Sequence, residues 1–257
     1  MKPNELFDLT GKVAVITGGA GSIGVVYGRA LCDVGASVVL ADLNGSAAER
    51  EAAELAAGGC RAIGVAVDVT DLASAERMAA AAVGAFGGID ILINNAAIMT
   101  DLPQFALSNM PVPEWDRVFN VNVRGPLLCT QAVLESMTAR GGGRIVNGLS
   151  AGAFMAGGIY GVSKLALHSL TANLATELGS RNINVNAIAP GLIESESGYL
   201  SLPKDSPMRA ALEAAIPGQK SGPPEDLVGT LLLLCSDAGR WITGQSYSVD
   251  GGWIMRL

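Results

Sequence analysis

Short apolar runs recur along the chain, each followed by a stretch in which apolar positions return every three or four residues. The runs suit strands buried on both faces, and the longer period suits helices with one apolar stripe. They predict seven strands near 12–17, 37–42, 61–67, 89–93, 143–149, 183–188 and 245–249, and helices near 22–34, 46–57, 71–86, 114–139, 159–179 and 223–236. Such alternation predicts an α/β fold, βαβ units wound into one parallel sheet covered by helices on both faces. Gly35 should end the first helix, and Pro126 falls inside the long one, where it should kink or divide it. No linker, repeat or low-complexity segment interrupts the pattern, so residues 1–257 read as a single domain. Within it, 195–221 is the longest stretch outside the alternation and reads as a substrate-binding loop or lid.

The break between the first strand and first helix carries the first chemical signal. Val13 to Thr17 runs into Gly18, Gly19, Ala20, Gly21, Ser22, Ile23 and Gly24. Glycines let backbone amides approach an anion, and the first turn of the following helix adds unpaired N–H groups and partial positive charge. A dinucleotide pyrophosphate is the natural ligand. The second strand ends in Asp42, whose carboxylate suits ribose hydroxyls and would repel a 2′-phosphate. No cation occupies 18–24 and Leu43 follows the acid, which favours NAD over NADP. The third and fourth strands end at Asp68-Val69 and Asn94-Asn95, at the same edge of the sheet, where ligands of open parallel sheets bind.

Composition narrows the possibilities. Apolar residues make up 49% of 257, 33 are glycine and only 5% are aromatic, which suits close helix-on-sheet packing. A net charge of −7 with scattered basic residues argues against a nucleic-acid partner. No apolar run reaches membrane-spanning length and the first residues lack a signal-peptide pattern, so the expectation is a cytoplasmic chain. Cys32, Cys60, Cys129 and Cys235 lie far apart and read as four reduced thiols. One histidine and these cysteines offer no metal cluster. Asn44-Gly-Ser46 reads as a turn.

Catalytic chemistry points to the fifth strand and the helix after it. Tyr160 and Lys164 stand four apart on one helical face, and Ser150 ends the preceding strand at the same crevice. A neighbouring ammonium and a positive nicotinamide both favour the phenolate. Lowering a phenol by about three units takes about 4 kcal/mol of differential interaction. Gly148-Leu-Ser150-Ala-Gly152 also matches a serine-hydrolase nucleophile motif, but His168 is the only histidine and no acid lies between. The non-enzyme alternative is a dinucleotide-binding scaffold or regulator of the same fold.

Taken together, these residues resemble the short-chain dehydrogenase/reductase family. The likeness covers nearly the whole chain, through Thr17-Gly18 to Gly24, Asp42, Asp68-Val69, Asn94-Asn95-Ala96, Asn122 to Gly125, Ser150, Tyr160 with Lys164, Pro190-Gly191, and Asp250-Gly251-Gly252. It implies a Rossmann-like doubly wound sheet and hydride transfer between NAD and a secondary alcohol or ketone, with Asn122, Ser150, Tyr160 and Lys164 as the catalytic four. The cofactor contacts it implies are Gly18, Gly21, Ser22, Ile23, Gly24, Asp42, Leu43, Asp68, Val69, Asn95, Ala96, Ala97, Tyr160, Lys164, Pro190, Gly191, Ile193 and Ser195. It implies no metal, and a homotetramer or dimer paired through the long helix and the Tyr160 helix. Three features depart from the family pattern. Ser22 replaces the middle glycine, Ala97 stands where glycine is usual, and only ten positions separate Ser150 from Tyr160, about three fewer than usual. The shortened 151–159 loop should border the substrate pocket, where Phe154, Met155, Tyr199 and Met208 suggest apolar walls.

Overall fold

The computed structural model describes residues 3–102, 105–218 and 220–255. Gln219, inside the expected lid, lies outside them. All seven strands form where the apolar runs place them: β1 Val13–Thr17, β2 Ser37–Asp42, β3 Ala62–Ala66, β4 Ile91–Asn94, β5 Gly143–Gly148, β6 Ile183–Pro190 and β7 Ser246–Val249. They pair in parallel in the order β3-β2-β1-β4-β5-β6-β7. The chain winds outward from β1 to β3, then crosses to β4 and winds the other way, so the order reverses between β1 and β4. The carboxyl ends of those two strands therefore flank the crevice where open sheets take ligands.

Alternate residues of each strand feed opposite layers. Ala14, Ile16, Val38 and Leu40 pack against α1 (Ser22–Asp33), α2 (Gly45–Ala57) and α9 (Val228–Cys235), through Leu31, Leu55 and Leu231. Val15, Val39 and Ala41 face α3 (Leu72–Phe86), α5 (Gly125–Ala139) and α6 (Gly158–Leu178), through Met78, Val133 and Leu174. The period of two in the strands thus supplies both cores. The turn read at Asn44 caps α2, its side-chain oxygen accepting from the Ala47 amide at 3.1 Å.

One expectation is met and two are corrected. The long helix is divided into α4 (Val112–Phe119), a π-helical turn at Asn120–Arg124, and α5. Pro126 sits in the first turn of α5, where the ring is tolerated but its missing N–H is felt one turn back, at the Asn122 carbonyl. The expected loop contains two helices, α7 (Glu196–Ser201) and α8 (Pro207–Ala215), each with a serine cap, Ser195 and Ser206. The four thiols are not all reduced, because Cys32 and Cys60 form a disulfide across a Cα separation of 5.6 Å, within bonding reach. The end of α1 and the approach to β3 are brought together by the sheet, which linear spacing does not reveal. Cys129 and Cys235 remain free and buried.

Candidate active site

The glycine turn leaves β1 with Gly18 at φ +62°, and a Cβ there would stand 2.9 Å from the Ala96 Cα. Only glycine lets this turn lie directly on the end of β4. Thr17 ties the two together: its hydroxyl accepts from the Asn95 and Ala96 amides at 3.2 Å, while the Asn95 side chain donates to the Gly18 carbonyl at 3.0 Å. Gly24 packs against Gly18 and Gly19 inside the turn, so its role is close approach and not contact with a ligand. At the end of β2, Asp42 is held by the Ala20 amide at 3.1 Å and the Asn44 amide at 3.0 Å.

Opposite, β5 delivers Ser150 and α6 delivers Tyr160 and Lys164. The Ser150 oxygen accepts from the Gly152 amide at 3.1 Å and shares a side-chain hydrogen bond with Tyr160. The short loop closes because Gly161 packs on the Gly152 carbonyl with no room for a Cβ. That contact keeps serine and phenol together despite the shortened spacing. Lys164 is 2% exposed; its ammonium donates to the Gly148 carbonyl at 2.6 Å and lies 5.6 Å from the centre of the Tyr160 ring. Among the described residues no carboxylate forms an ion pair with it.

Burial dominates the electrostatics of this pair in the protein alone. Burial pushes the Tyr160 phenol up to about 12, with the Ser150 hydrogen bond pulling the other way. Burial likewise pushes Lys164 down to about 8. In the protein alone desolvation therefore outweighs the Ser150 hydrogen bond, and the phenol is held protonated.

These elements surround one cavity of about 360 Å³. It collects Gly18, Gly21, Ser22, Ile23, Asp42, Asn95, Ala96 and Ala97 on one side, and Ser150, Tyr160, Lys164, Pro190, Gly191, Ile193 and Ser195 on the other. Five expected site residues do not line it. Gly24 is internal to the turn, and Leu43 points outward, 78% exposed. Asp68 is exposed and turned to Thr70, whose amide and hydroxyl it accepts at 2.9 and 2.7 Å. Val69 is buried against Gly125. Asn122 is fully buried, its side chain accepting from the Ile98 amide at 2.8 Å and donating to the Ile98 carbonyl and the Ser163 hydroxyl.

The apolar walls expected from Phe154, Met155, Tyr199 and Met208 are not there either. Phe154 meets His168 edge to face, Tyr199 lies under the Arg209 guanidinium, and Met155 and Met208 are exposed. Instead α7 turns Ser197, Gly198, Ser201 and Leu202 to the cavity, with Met99 and Leu149 across from them. Sequence reading missed these because α7 was taken as irregular; Ser197 and Ser201, one helical turn apart, were the available signal. His168, read as a packing residue, shares a 2.8 Å hydrogen bond with Ser246.

The donor set fits a nicotinamide dinucleotide. A fixed carboxylate stands at one end, a glycine-backed helix start follows, and a hydroxyl, phenol and ammonium meet at the other end. Among the described residues no group of acids, histidines and cysteines could hold a metal, and no helix is long and apolar enough to cross a membrane.

Comparison with known proteins agrees with this architecture. The family model described as "Enoyl-(Acyl carrier protein) reductase" matches residues 18–254. The chain is 45% identical to "Uncharacterized oxidoreductase Rv0769" of Mycobacterium tuberculosis, over 95% of this chain and 98% of that one. It is 38% identical to a "Sorbitol dehydrogenase" of Cereibacter sphaeroides, over 96% and 99%. A solved structure of a candidate NAD(P)-dependent gluconate 5-dehydrogenase from Beutenbergia cavernae, with NADP bound at low occupancy, superposes with a TM-score of 0.88 at 33% identity, covering 96% of this chain and 98% of that one. With a seven-stranded parallel sheet, a glycine turn at its reversal point and a match that spans nearly its whole length, this chain belongs to the short-chain dehydrogenase/reductase family, and is an oxidoreductase of that family.

Proposed function

We propose that the protein interconverts a secondary alcohol and a ketone with NAD, and that Tyr160 is its general acid/base. The observation that carries this reading is the meeting of Ser150, Tyr160 and a buried, carboxylate-free Lys164 in the cavity that begins at Asp42. Bound NAD supplies the hydride acceptor. Tyr160 takes the hydroxyl proton as the carbonyl forms, and Ser150 hydrogen-bonds the same oxygen and offsets charge developing on it. Lys164 holds positive charge beside the phenol. That charge alone does not overcome burial, so lowering the phenol needs the second cation of the bound nicotinamide. Asn122 acts from beneath: with both side-chain groups engaged, a relay water falls to its main-chain carbonyl, whose helical donor Pro126 removes.

NAD is favoured over NADP because the Asp42 carboxylate is fixed by two amides and would face a 2′-phosphate. The sorbitol and gluconate names of the relatives accord with alcohol oxidation. A tetramer or dimer in a cytoplasmic setting belongs to the same reading, and outward-facing Val162 and Leu165 on α6 support pairing there. The test is formation of reduced nicotinamide from NAD with a panel of secondary alcohols. Wild type should turn over, and Tyr160→Phe should not while binding NAD within a few-fold. Activity retained by that variant overturns the assignment, and NAD binding without turnover by wild type would favour the scaffold alternative.

A further inference from the structure

The proposed activity leaves open which alcohol enters, and the wall beyond Ser150 and Tyr160 bears on it. That wall is the inner edge of α7 and its cap. Ser195, Ser197 and Ser201 all line the cavity, with Gly198 between them leaving the backbone open. The Ser195 oxygen is engaged by the Gly198 amide at 3.0 Å. Ser201 donates to the Met99 carbonyl at 3.2 Å, which spends its hydrogen and fixes its oxygen as an acceptor. Met99, Leu149 and Leu202 add aliphatic side chains to the same lining. A lining that mixes hydroxyls with aliphatic side chains matches a carbon skeleton that carries several hydroxyls.

Charge settles the rest. Among the described residues Lys164 is the only cation lining the cavity, and its ammonium is already bonded to the Gly148 carbonyl. Of the lid's cations, Lys220 lines a neighbouring cavity with Leu192 and Ile193, and the other two are engaged within the lid. Arg209, 1% exposed, bonds Glu213 at 2.9 Å and the Leu202 carbonyl at 3.3 Å and leaves one buried nitrogen unpartnered, and Lys204 lies 5.9 Å from the centre of the Tyr199 ring. The charged residues on either side of the Ser195 cap are Glu194 and Glu196, both exposed acids, with Glu194 accepting from the Ser221 hydroxyl at 3.1 Å. A carboxylate or phosphate on the lid side of the cavity would therefore meet no cation among the lining residues there.

We propose that the substrate is a small neutral polyhydroxylated molecule, an alditol or the corresponding keto sugar, with Ser197 and Ser201 as the specificity-determining residues. This rests on the alcohol-dehydrogenase reading above. In the oxidation, the C–H bond at one carbinol carbon breaks and its hydride passes to NAD. The O–H proton passes to Tyr160 and on to solvent, and a C=O bond forms, giving ketone, NADH and one proton. Hydroxyls on neighbouring carbons meet the lid serines, and an analogue without them leaves polar groups unpaired.

The experiment measures reduced-nicotinamide formation by the full chain with NAD. Its substrates are four- to six-carbon alditols, the matching aldonates, and cyclohexanol. We expect kcat/KM for the best alditol to exceed that for its aldonate and for cyclohexanol by at least about tenfold. The Ser197→Ala/Ser201→Ala double variant should lose about tenfold on the alditol, chiefly in KM, and change less than threefold on cyclohexanol. A melt of the NAD complex that rises with the alditol and not the aldonate supports the same conclusion. Preference for an aldonate or for cyclohexanol overturns the substrate class, as does an equal loss on both alcohols in the double variant. Absence of turnover with every alcohol, and with the matching ketones and NADH, overturns the alcohol-dehydrogenase reading and this inference with it.

Discussion

The two ends of the sheet each bury a charge, and they treat it in opposite ways. At the amino end, Asp90 is 5% exposed and fully partnered: the Val13 amide donates to it at 2.9 Å, Arg140 at 2.8 Å, and Lys12 lies 3.5 Å away. At the carboxyl end Lys164 is buried as deeply, yet its ammonium donates to a neutral carbonyl, that of Gly148. A compensated charge ties elements together; an uncompensated one raises the free energy of the folded state and persists where chemistry uses it. The amino end is therefore structural, and the carboxyl end stores positive charge beside the phenol that is proposed to exchange a proton.

The sharpest break removes the proton carrier. Tyr160→Phe should lower turnover by about a thousandfold or more with no loss of melting temperature, measured by steady-state kinetics and calorimetry. Lys164→Met should follow, with turnover down about a hundredfold and stability equal to or above wild type, because a desolvated cation has been removed. Asp90→Ala should do the reverse at the other end. It leaves Arg140 without its partner and costs about 3 kcal/mol in denaturant melts, with kcat within a few-fold of wild type. A Lys164→Met protein much less stable than wild type would erase the contrast.

The pH dependence sharpens the comparison. The folded pKa of Lys164 lies near 8, below its ordinary 10.5, so the folded protein binds fewer protons than the unfolded chain across that window. Its destabilising effect is complete below pH 8 and disappears as pH rises toward 10.5. Wild type should therefore gain stability relative to Lys164→Met between pH 8 and 10, before tyrosines of the unfolded chain ionise.

Most of the frame was legible because it is local. Apolar runs, a glycine break and a Tyr–Lys pair four apart each fix their neighbours within one element. What the sequence hid depends on approach between elements. Cys32 and Cys60, 28 positions apart, meet only when the sheet forms. Asp68 and Leu43 occupy the expected strand ends, but their side chains turn to Thr70 and to solvent, away from the cavity. The desolvation of the phenol was not legible because it is a property of the packed site, whereas a lysine four residues away is visible in the chain. The aromatic and methionine residues read as pocket walls were placed by composition; the α7 register decides that serines face inward instead.

Smaller effects follow from the first half of the sheet. Opening the Cys32–Cys60 bond by Cys32→Ser should cost up to about 3.5 kcal/mol, the loop-closure value for 28 positions, and leave turnover unchanged. Asp42→Ala should shift the NAD to NADP ratio of kcat/KM about tenfold toward NADP.

The most direct test of proton transfer at Tyr160 is an ultraviolet difference titration of its phenolate, isolated by subtracting Tyr160→Phe, with and without saturating NAD. We expect ionisation near 12 in the protein alone and several units lower with NAD bound. A phenol that ionises at the same pH in both states would contradict the assignment.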